Sequence, residues 1–519
     1  CTRRRRCARA NGASTAGGLV ASAQDDEPIL DEPVDEPPPE EEETPWYRQG
    51  GPADPTPVTV PAPVPAVEDA AAAEDDEEEE EEPEDPDAHT GDFYFGSYGR
   101  IIAASDLDGR TGRQNLLTAW GPRVDEEDTY AELELRREDS FAGMDTSIVE
   151  TVAYFGPLFH YDGELSERIA VRNLYARVGN LLTRGLSIWA GSRMWRGDDI
   201  YLFDFWPLDN LNLVGGGFRY ALEDIGELAI VGGLAQPNDP FQRQEILVPA
   251  RVGFAPESVV FLDRPRLVLA GRLTWWPFGR TARTGMKAIL YGEGHYLPAG
   301  DRRDEEGAFE SLPQDAGWAV GAQVGGYLAD QNTFANLFVR YGRGLGAYDP
   351  LGVPFREGSV IQTGRAEELR IALSVNWEVD MFGLQIGAYY RYFRDADPNV
   401  FGRGTLTEGA IDARPMVWFG RFVGLAVDLS YSGMAAAAIN ETTGSPEGGN
   451  IFKLGVVPFI SPFGRGTYSR PHIRLIYALT VRDDDARALY PALDPRSANN
   501  VEHFFGIGVE WWFSSSYGS

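Results

Sequence analysis

From residue 91 onward the chain alternates between apolar and polar side chains with a period of two, in runs of roughly ten residues. In 468–482 the odd positions carry Pro471, Ile473, Leu475, Tyr477, Leu479 and Val481. The even ones include Arg470, His472, Arg474, Thr480 and Arg482. In 366–380 Leu369, Ile371, Leu373, Val375, Trp377 and Val379 share one parity. Glu368, Arg370, Ser374, Asn376, Glu378 and Asp380 share the other. In 501–513 Val501, Phe505, Ile507, Val509, Trp511 and Phe513 oppose Glu502 and Glu510. A period of two is that of a β-strand, whose successive side chains point to opposite faces. Each run is therefore a strand with one apolar and one charged face. Gly-, Pro- and Asp-rich turns separate the runs. The 59 Gly, 12 Trp, 22 Tyr and 27 Phe against six Met form a β-rich composition.

Alternation of this kind serves two architectures. A soluble sandwich turns the apolar face inward, whereas a transmembrane barrel turns it to lipid and keeps the charged face around a wet lumen. Size separates them. Residues 91–519 show no internal boundary and yield about 18 strands, and one closed sheet of that size leaves an aqueous channel. Closure also hides every strand edge from lipid. No apolar run is long enough for a membrane-spanning helix. The aromatic pairs Trp275-Trp276, Tyr389-Tyr390 and Trp511-Trp512 suit interfacial girdles. The expected fold is all-β: a single transmembrane antiparallel barrel of about 18 strands.

Two segments precede it. In residues 1–23 the run Arg3 to Arg6 is followed by small residues ending Ala21-Ser22-Ala23, the pattern of a residual targeting segment with an A-x-A cleavage site. Cys1 leaves two readings: a start that lies further upstream, or the lipid-bearing first residue of a mature lipoprotein. Residues 24–90 hold 26 Asp and Glu against one base, Arg48. Such a Pro- and Glu-rich stretch cannot bury enough apolar surface to offset its ordering entropy, and is expected to be a disordered acidic spacer.

The net charge of −34 argues against a nucleic-acid partner. The two cysteines, Cys1 and Cys7, cannot supply a disulfide framework or a metal cage. No cofactor or metal site is expected. His89, His160, His295, His472 and His503 are scattered, with no paired spacing. Gly342-Arg343-Gly344-Leu345-Gly346 lacks the Lys-Ser/Thr of a phosphate loop and reads as a turn. No Ser sits in a G-x-S-x-G elbow. A channel, and not an enzyme, is expected.

The stretch Ser187-Ile188-Trp189-Ala190-Gly191-Ser192-Arg193, with Asp199 to Trp206 after it, resembles the maltoporins, the sugar porins of the bacterial outer membrane. Phe95-Gly96-Ser97-Tyr98-Gly99-Arg100 resembles that family's first strand, and Thr129 to Leu133 its second. Ser469-Arg470-Pro471-His472-Ile473-Arg474 and Phe505 to Phe513 resemble its last two. The resemblance implies an 18-stranded antiparallel barrel in the outer membrane, a third loop folded into the channel, a homotrimer, and sugars and small ions as solutes.

A sugar ring has an apolar face and a rim of hydroxyls, so a channel that binds without trapping needs aromatics beside charged groups. Parity places Tyr98 and Tyr130 on the charged faces of their strands. It places Trp512 with Glu502 and Glu510, and Trp418 with Asp412 and Arg414. These four are the expected sugar slide. Arg100 and Glu132 share those faces and belong to the expected polar track. By family position, Asp199 and Asp204 are constriction acids, Trp206 stands at the constriction tyrosine, and Arg196 lies beside the constriction arginine position. Arg172, Arg193 and, with a shift of one residue, Arg123 match basic positions of the track. No counterpart is found for the tryptophan that the family's second loop lends to a neighbouring subunit; Phe159 and Tyr161 are only nearby aromatics. The expected function is facilitated diffusion of maltodextrin-like or related sugars. General diffusion of small hydrophilic solutes and ions is the alternative.

Overall fold

The computed structural model describes residues 90–514 apart from 127–128, 157–167, 236–241, 250–255, 304–307, 329–331, 349–361, 397–403 and 441–442. The targeting segment 1–23, the acidic spacer up to residue 89, and Phe159 and Tyr161 lie outside the described residues. The first strands are β1 (Thr90–Ser105), β2 (Tyr130–Phe141), β3 (Met144–Phe155), β4 (Arg168–Gly179), β5 (Leu186–Arg196), β6 (Asn210–Leu222) and β7 (Gly226–Ala235). A separate hairpin, β8 (Arg243–Pro249) and β9 (Pro256–Asp263), follows. Then come β10 (Arg266–Trp275), β11 (Thr284–Leu297), a second small hairpin of β12 (Gly300–Arg303) and β13 (Phe309–Leu312), β14 (Asp315–Leu328) and β15 (Thr333–Gly344). The remainder are β16 (Glu367–Val379), β17 (Phe382–Arg394), β18 (Thr405–Trp418), β19 (Val423–Ile439), β20 (Pro446–Ile460), β21 (His472–Arg482) and β22 (Val501–Phe513).

Leaving aside the two hairpins, each strand pairs antiparallel with the next, and β1 pairs with both β2 and β22. The result is a closed sheet of 18 strands without an edge. Its connections differ between the two rims. One rim has tight turns, such as 142–143 and 380–381. The other carries long connections, among them 106–129 and 197–209, and both small hairpins. In barrels of this type the short turns face the periplasm and the long loops face outside.

Burial is inverted relative to a soluble protein. On β2, Leu135 is 57% exposed while its neighbour Glu134 is 2% exposed. On β22, Ile507 is 56% exposed and Glu510 1%. A wall of leucines and isoleucines left uncovered around the whole circumference needs lipid as its solvent. The inward charges neutralise one another across strands. Glu368 accepts from Arg340 at 3.0 Å and Arg391 at 2.6 Å, and forms an ion pair with Arg370 at 2.8 Å.

Two expectations need correction. The lumen face is not polar throughout. From β6 to β11, Leu211, Leu213, Ala229, Val231, Val268, Ala270 and Ile289 point inward into one buried apolar cluster. The reason is that segment 197–209 lies against this wall, so these side chains meet protein and not water. Tyr389 is the second correction. It is buried in the lumen, and only Tyr390 of that pair faces lipid. Strict alternation forces the two apart, so an aromatic doublet in a barrel strand cannot belong wholly to a girdle.

Candidate functional site

Among the described residues, several connections reach into the lumen, 345–348 included, and three of them build the candidate site. The first is 197–209, between β5 and β6, in which Asp199 to Asp209 are buried throughout. Its tip is a tight turn: Ile200 N–H donates to the Phe205 carbonyl at 2.7 Å, and Phe203 N–H to the Ile200 carbonyl at 2.9 Å. Asp204 closes the turn at φ +53°, a left-handed conformation that Asp tolerates better than most residues. The tip presses on Gly387 of β17, where an added Cβ would lie 2.7 Å from Ile200 Cγ2. Tyr201 Oη donates to Glu510 Oε2 at 2.7 Å and accepts from Arg470 Nη2 at 2.6 Å. Asp198 bonds Lys287 of β11 and Gln323 of β14. The loop is thus pinned to walls on both sides and crosses the channel, as the resemblance implied.

The second inward connection is 106–129, after β1. Trp120 stacks on Phe205 with centroids 3.8 Å apart. Its backbone N–H donates to Tyr389 Oη at 3.3 Å, and Arg370 and Arg391 lie 4.8 and 5.3 Å from its ring. Ala119 N–H donates to Glu408, and Lys453 of β20 pairs with Asp125 at 2.5 Å. The third, 461–471, enters from the short-turn rim. Its Tyr468 packs edge-on to Tyr201 at 5.7 Å, and Thr467 N–H donates to Glu378.

The expected aromatics divide three to one. β1 lies between β2 and β22, so Tyr98 stands opposite Trp512 in register, and Arg100 opposite Tyr130. The Tyr98 and Trp512 rings are near-parallel, 6° apart in plane and 6.3 Å between centroids. Tyr130 follows at 6.0 Å. Trp418 does not join them. It is buried inward, as parity required, and Phe419 beside it is exposed, but it packs edge-on to Phe459 in a separate cluster near the short-turn rim.

The charged residues sort as follows. Arg100 Nη1 donates to Tyr98 Oη at 3.3 Å and pairs with Glu126 at 2.6 Å. Glu132 accepts from Tyr130 Oη and lies 3.7 Å from Arg172. Arg172 reaches the lumen through a bulge: Thr151 pairs Asn173 and Val152 pairs Val171, leaving Arg172 the extra residue that is turned inward. Arg123 pairs with Glu126 at 2.8 Å and Asp204 at 3.7 Å, and Arg100 lies 3.9 Å from Asp204. Arg193 lies 4.6 Å from the Tyr175 ring and 5.4 Å from that of Trp189. Arg196 covers Trp206 at 4.4 Å, so this aromatic presents no bare face to a solute.

Burial pushes the Asp204 carboxyl up to about 6, while Arg123 and Arg100 pull it down. Burial also drives Asp199 well up, reinforced by the charges of Asp204 and Asp198. Asp204 is therefore neutral at pH below about 6 and anionic above it. Cation preference, read as reversal potential in a salt gradient, should fall as pH drops through that value. Asp204→Asn should remove this step. A step that persists unchanged in the variant would assign it to another group.

Sequence reasoning missed Trp120, Tyr201, Phe205, Tyr389, Tyr468 and Arg470 as constriction residues. The signal for Tyr201 and Phe205 was present, since both lie in the stretch quoted from Asp199 to Trp206. Trp120 carried none, because the 106–129 connection has no periodicity to mark it as inward-folding.

A lipid-faced closed barrel with a charged lumen narrowed by loops defines a class: an outer-membrane porin. The family can be given as well. The family model described as LamB porin matches residues 93–513, and the chain belongs to that family. It is an integral β-barrel protein of the outer membrane. No curated protein matches the sequence. Among solved structures it is similar to OccD1 (OprD), solved as a double variant, with 10% identity, 81% of this chain and 95% of that chain covered, and a TM-score of 0.40. It is also similar to the anion-selective porin of Comamonas acidovorans, with 10% identity, 82% and 100% covered, and a TM-score of 0.37. The outer membrane channel DcaP of Acinetobacter baumannii matches with 9% identity, 82% and 97% covered, and a TM-score of 0.40. Nothing about solutes follows from likenesses this distant.

Proposed function

We propose that this porin passes maltodextrin-like or related sugars by facilitated diffusion. The observation that carries the reading is the contiguous aromatic surface of Tyr130, Tyr98 and Trp512 on three adjacent strands, with Arg100, Glu132 and Glu510 on the same faces. Rings offer stacking to the apolar face of a pyranose, and charged groups give the stronger hydrogen bonds to its hydroxyls. Several weak sites in a row permit release. The homotrimer implied by family membership is part of the proposal; native mass in mild detergent checks it.

One observation favours general diffusion of small solutes and ions. The Arg470 guanidinium lies 4.0 Å from the Trp512 ring centroid and takes up part of its face. With Trp418 apart, the slide is shorter than four platforms.

Single-channel current in a bilayer, with maltodextrins, sucrose and glucose added in turn, decides between the two. Sugar should block the current. Tyr98→Ala should weaken that block by roughly tenfold or less, since stacking on one ring is worth about 1 kcal/mol and 1.4 kcal/mol is a tenfold change. Ion current should change little, because ions do not stack. No block by any sugar in the wild type would leave general diffusion as the account.

A further inference from the structure

A groove of about 630 Å³ lies on the outer face of the sheet, across β15 to β20. Its walls are Leu337, Ile371, Tyr390, Ile411 and Tyr431, each at least 40% exposed. Register explains its depth. Tyr390 stands opposite Ile371 on one side and Gly409 on the other, and Gly409 stands opposite Gly433. Two adjacent strands thus present no side chain in that row, and the tyrosine rises beside bare backbone. In the next outward row Ala388 faces Ile411, which faces Tyr431, so Ala388 extends the floor.

Positive charge gathers above the groove. Four residues along β16 and β17 from Ile371 and Tyr390, toward the long-connection rim, Glu367 stands opposite Arg394, with Arg343 on its other side. At about 3.3 Å per residue that separation is about 13 Å. Trp318 of β14 stands opposite Arg343 in the same row. Arg394 pairs with Glu367 at 3.2 Å, and Tyr341 Oη donates to that carboxylate at 3.1 Å. Arg343 Nε and Arg394 Nη2 donate to the Gly364 and Arg365 carbonyls at 3.4 and 3.5 Å. They hold one turn from both sides and so bring Arg365 beside them. All three arginines are exposed. Counting Asp315, which accepts from the Thr363 N–H at 2.7 Å, three guanidiniums stand against two carboxylates among the described residues.

We propose that this face is a docking site for a phosphate-bearing lipid of the outer leaflet, with its headgroup on Arg343, Arg365 and Arg394 and an acyl chain in the groove below. The long-connection rim faces outside, so the groove lies in the outer half of the membrane. Guanidinium forks match phosphate in geometry, and their bonds to it are charge-assisted. Trp318 and Tyr341 stand at the level of the arginines, where a barrel carries aromatics against lipid headgroups. Those rings are the reason to place a lipid here and not a second copy of the chain. The glycine floor lets a hydrocarbon chain approach the backbone, and apolar area buried there adds to the headgroup's attraction. The proposal concerns the outer wall and holds whichever solute the lumen passes.

The test uses the full chain in mild detergent, titrated with defined lipids and read by native mass spectrometry. The probes are bisphosphorylated lipid A against its monophosphoryl form, and phosphatidic acid against phosphatidylcholine with the same chains. The more anionic member of a pair should bind about fivefold or more tightly, and each arginine replaced should cost about fivefold of its affinity. Arg343→Gln combined with Arg394→Gln should therefore remove most of the preference. Ala388→Phe, which fills the floor, should weaken both members of a pair severalfold and leave their ratio alone. Both changes lie on the outer wall, so an unchanged ion current confirms that the variant barrels have assembled. A preference in either pair that the Gln variant reduces, with affinity that Ala388→Phe reduces, supports the proposal. Equal binding within both pairs in the wild type, or a preference untouched by the Gln variant, overturns it. A preference that depends on the arginines while Ala388→Phe binds like the wild type also overturns it, because the headgroup would then be held without the groove. So does a changed number of chains per particle with lipid binding unaltered, which would make this face a contact between copies.

Discussion

Glu368→Gln should destabilise the barrel by about 3 kcal/mol, the lower end of the range for removing one partner of a buried ion pair. Glu368 is fully buried and is shared by three guanidiniums. Gln keeps the shape and removes the charge. Arg340 retains Glu293, and Arg391 retains Glu408. Arg370 has no second carboxylate partner among the described residues, so it bears most of the loss. Water in the lumen softens the penalty relative to a dry core. The measurement is the urea midpoint of folded barrel in detergent, followed by electrophoretic mobility. A second reading comes from the same protein, because losing a lumen anion should shift reversal potential toward anion preference. An unchanged midpoint would mean that the three-arginine network is inert.

Trp120→Ala should enlarge the constriction and raise the open-channel current. Trp120 joins the two loops that enter from the long-connection rim, through its 3.8 Å stack on Phe205. An aromatic pair contributes about 0.5–1.5 kcal/mol beyond area, and a cation over a ring about 0.5–1 kcal/mol more. Arg370 and Arg391 both lie within that range of the ring. Removing the indole takes away this bridge and the volume it fills. Current noise should grow as the 106–129 connection loosens. Phe205→Ala should act in the same direction, since it removes the other half of the stack. Leu116→Ala, at an exposed position on the same connection, is the control and should leave the current alone. If Trp120→Ala conducts like the wild type, the stack does not set the narrowest passage.

Much of the site was legible because strand parity is local. Tyr98, Tyr130, Trp418 and Trp512 were assigned inward from alternation, and all four point inward. Trp418 is the clearest instance, since it shares the parity of Asp412 and Arg414 and is buried while its neighbour Phe419 is exposed. Parity is silent on height along the barrel, which is why it grouped Trp418 with three aromatics it never meets. It also cannot see a bulge. Arg172 was found by resemblance, and its inward aim depends on the register shift beside Thr151 and Val152.

The alternation of apolar and charged residues settled the strands and their two faces, because side-chain direction in a strand depends only on neighbouring backbone, and the number of strands in one unbroken array then decided which face turns outward. The contacts that narrow the channel depend on closure instead. Tyr201 meets Glu510 across 309 residues, and Lys453 meets Asp125 across 328. Both pairs exist because the sheet closes on itself and irregular connections then fill the space it encloses. Which connection enters, which wall it covers, and so which stretch of lumen becomes apolar, is decided by packing between segments remote in the chain, where no period of two reaches.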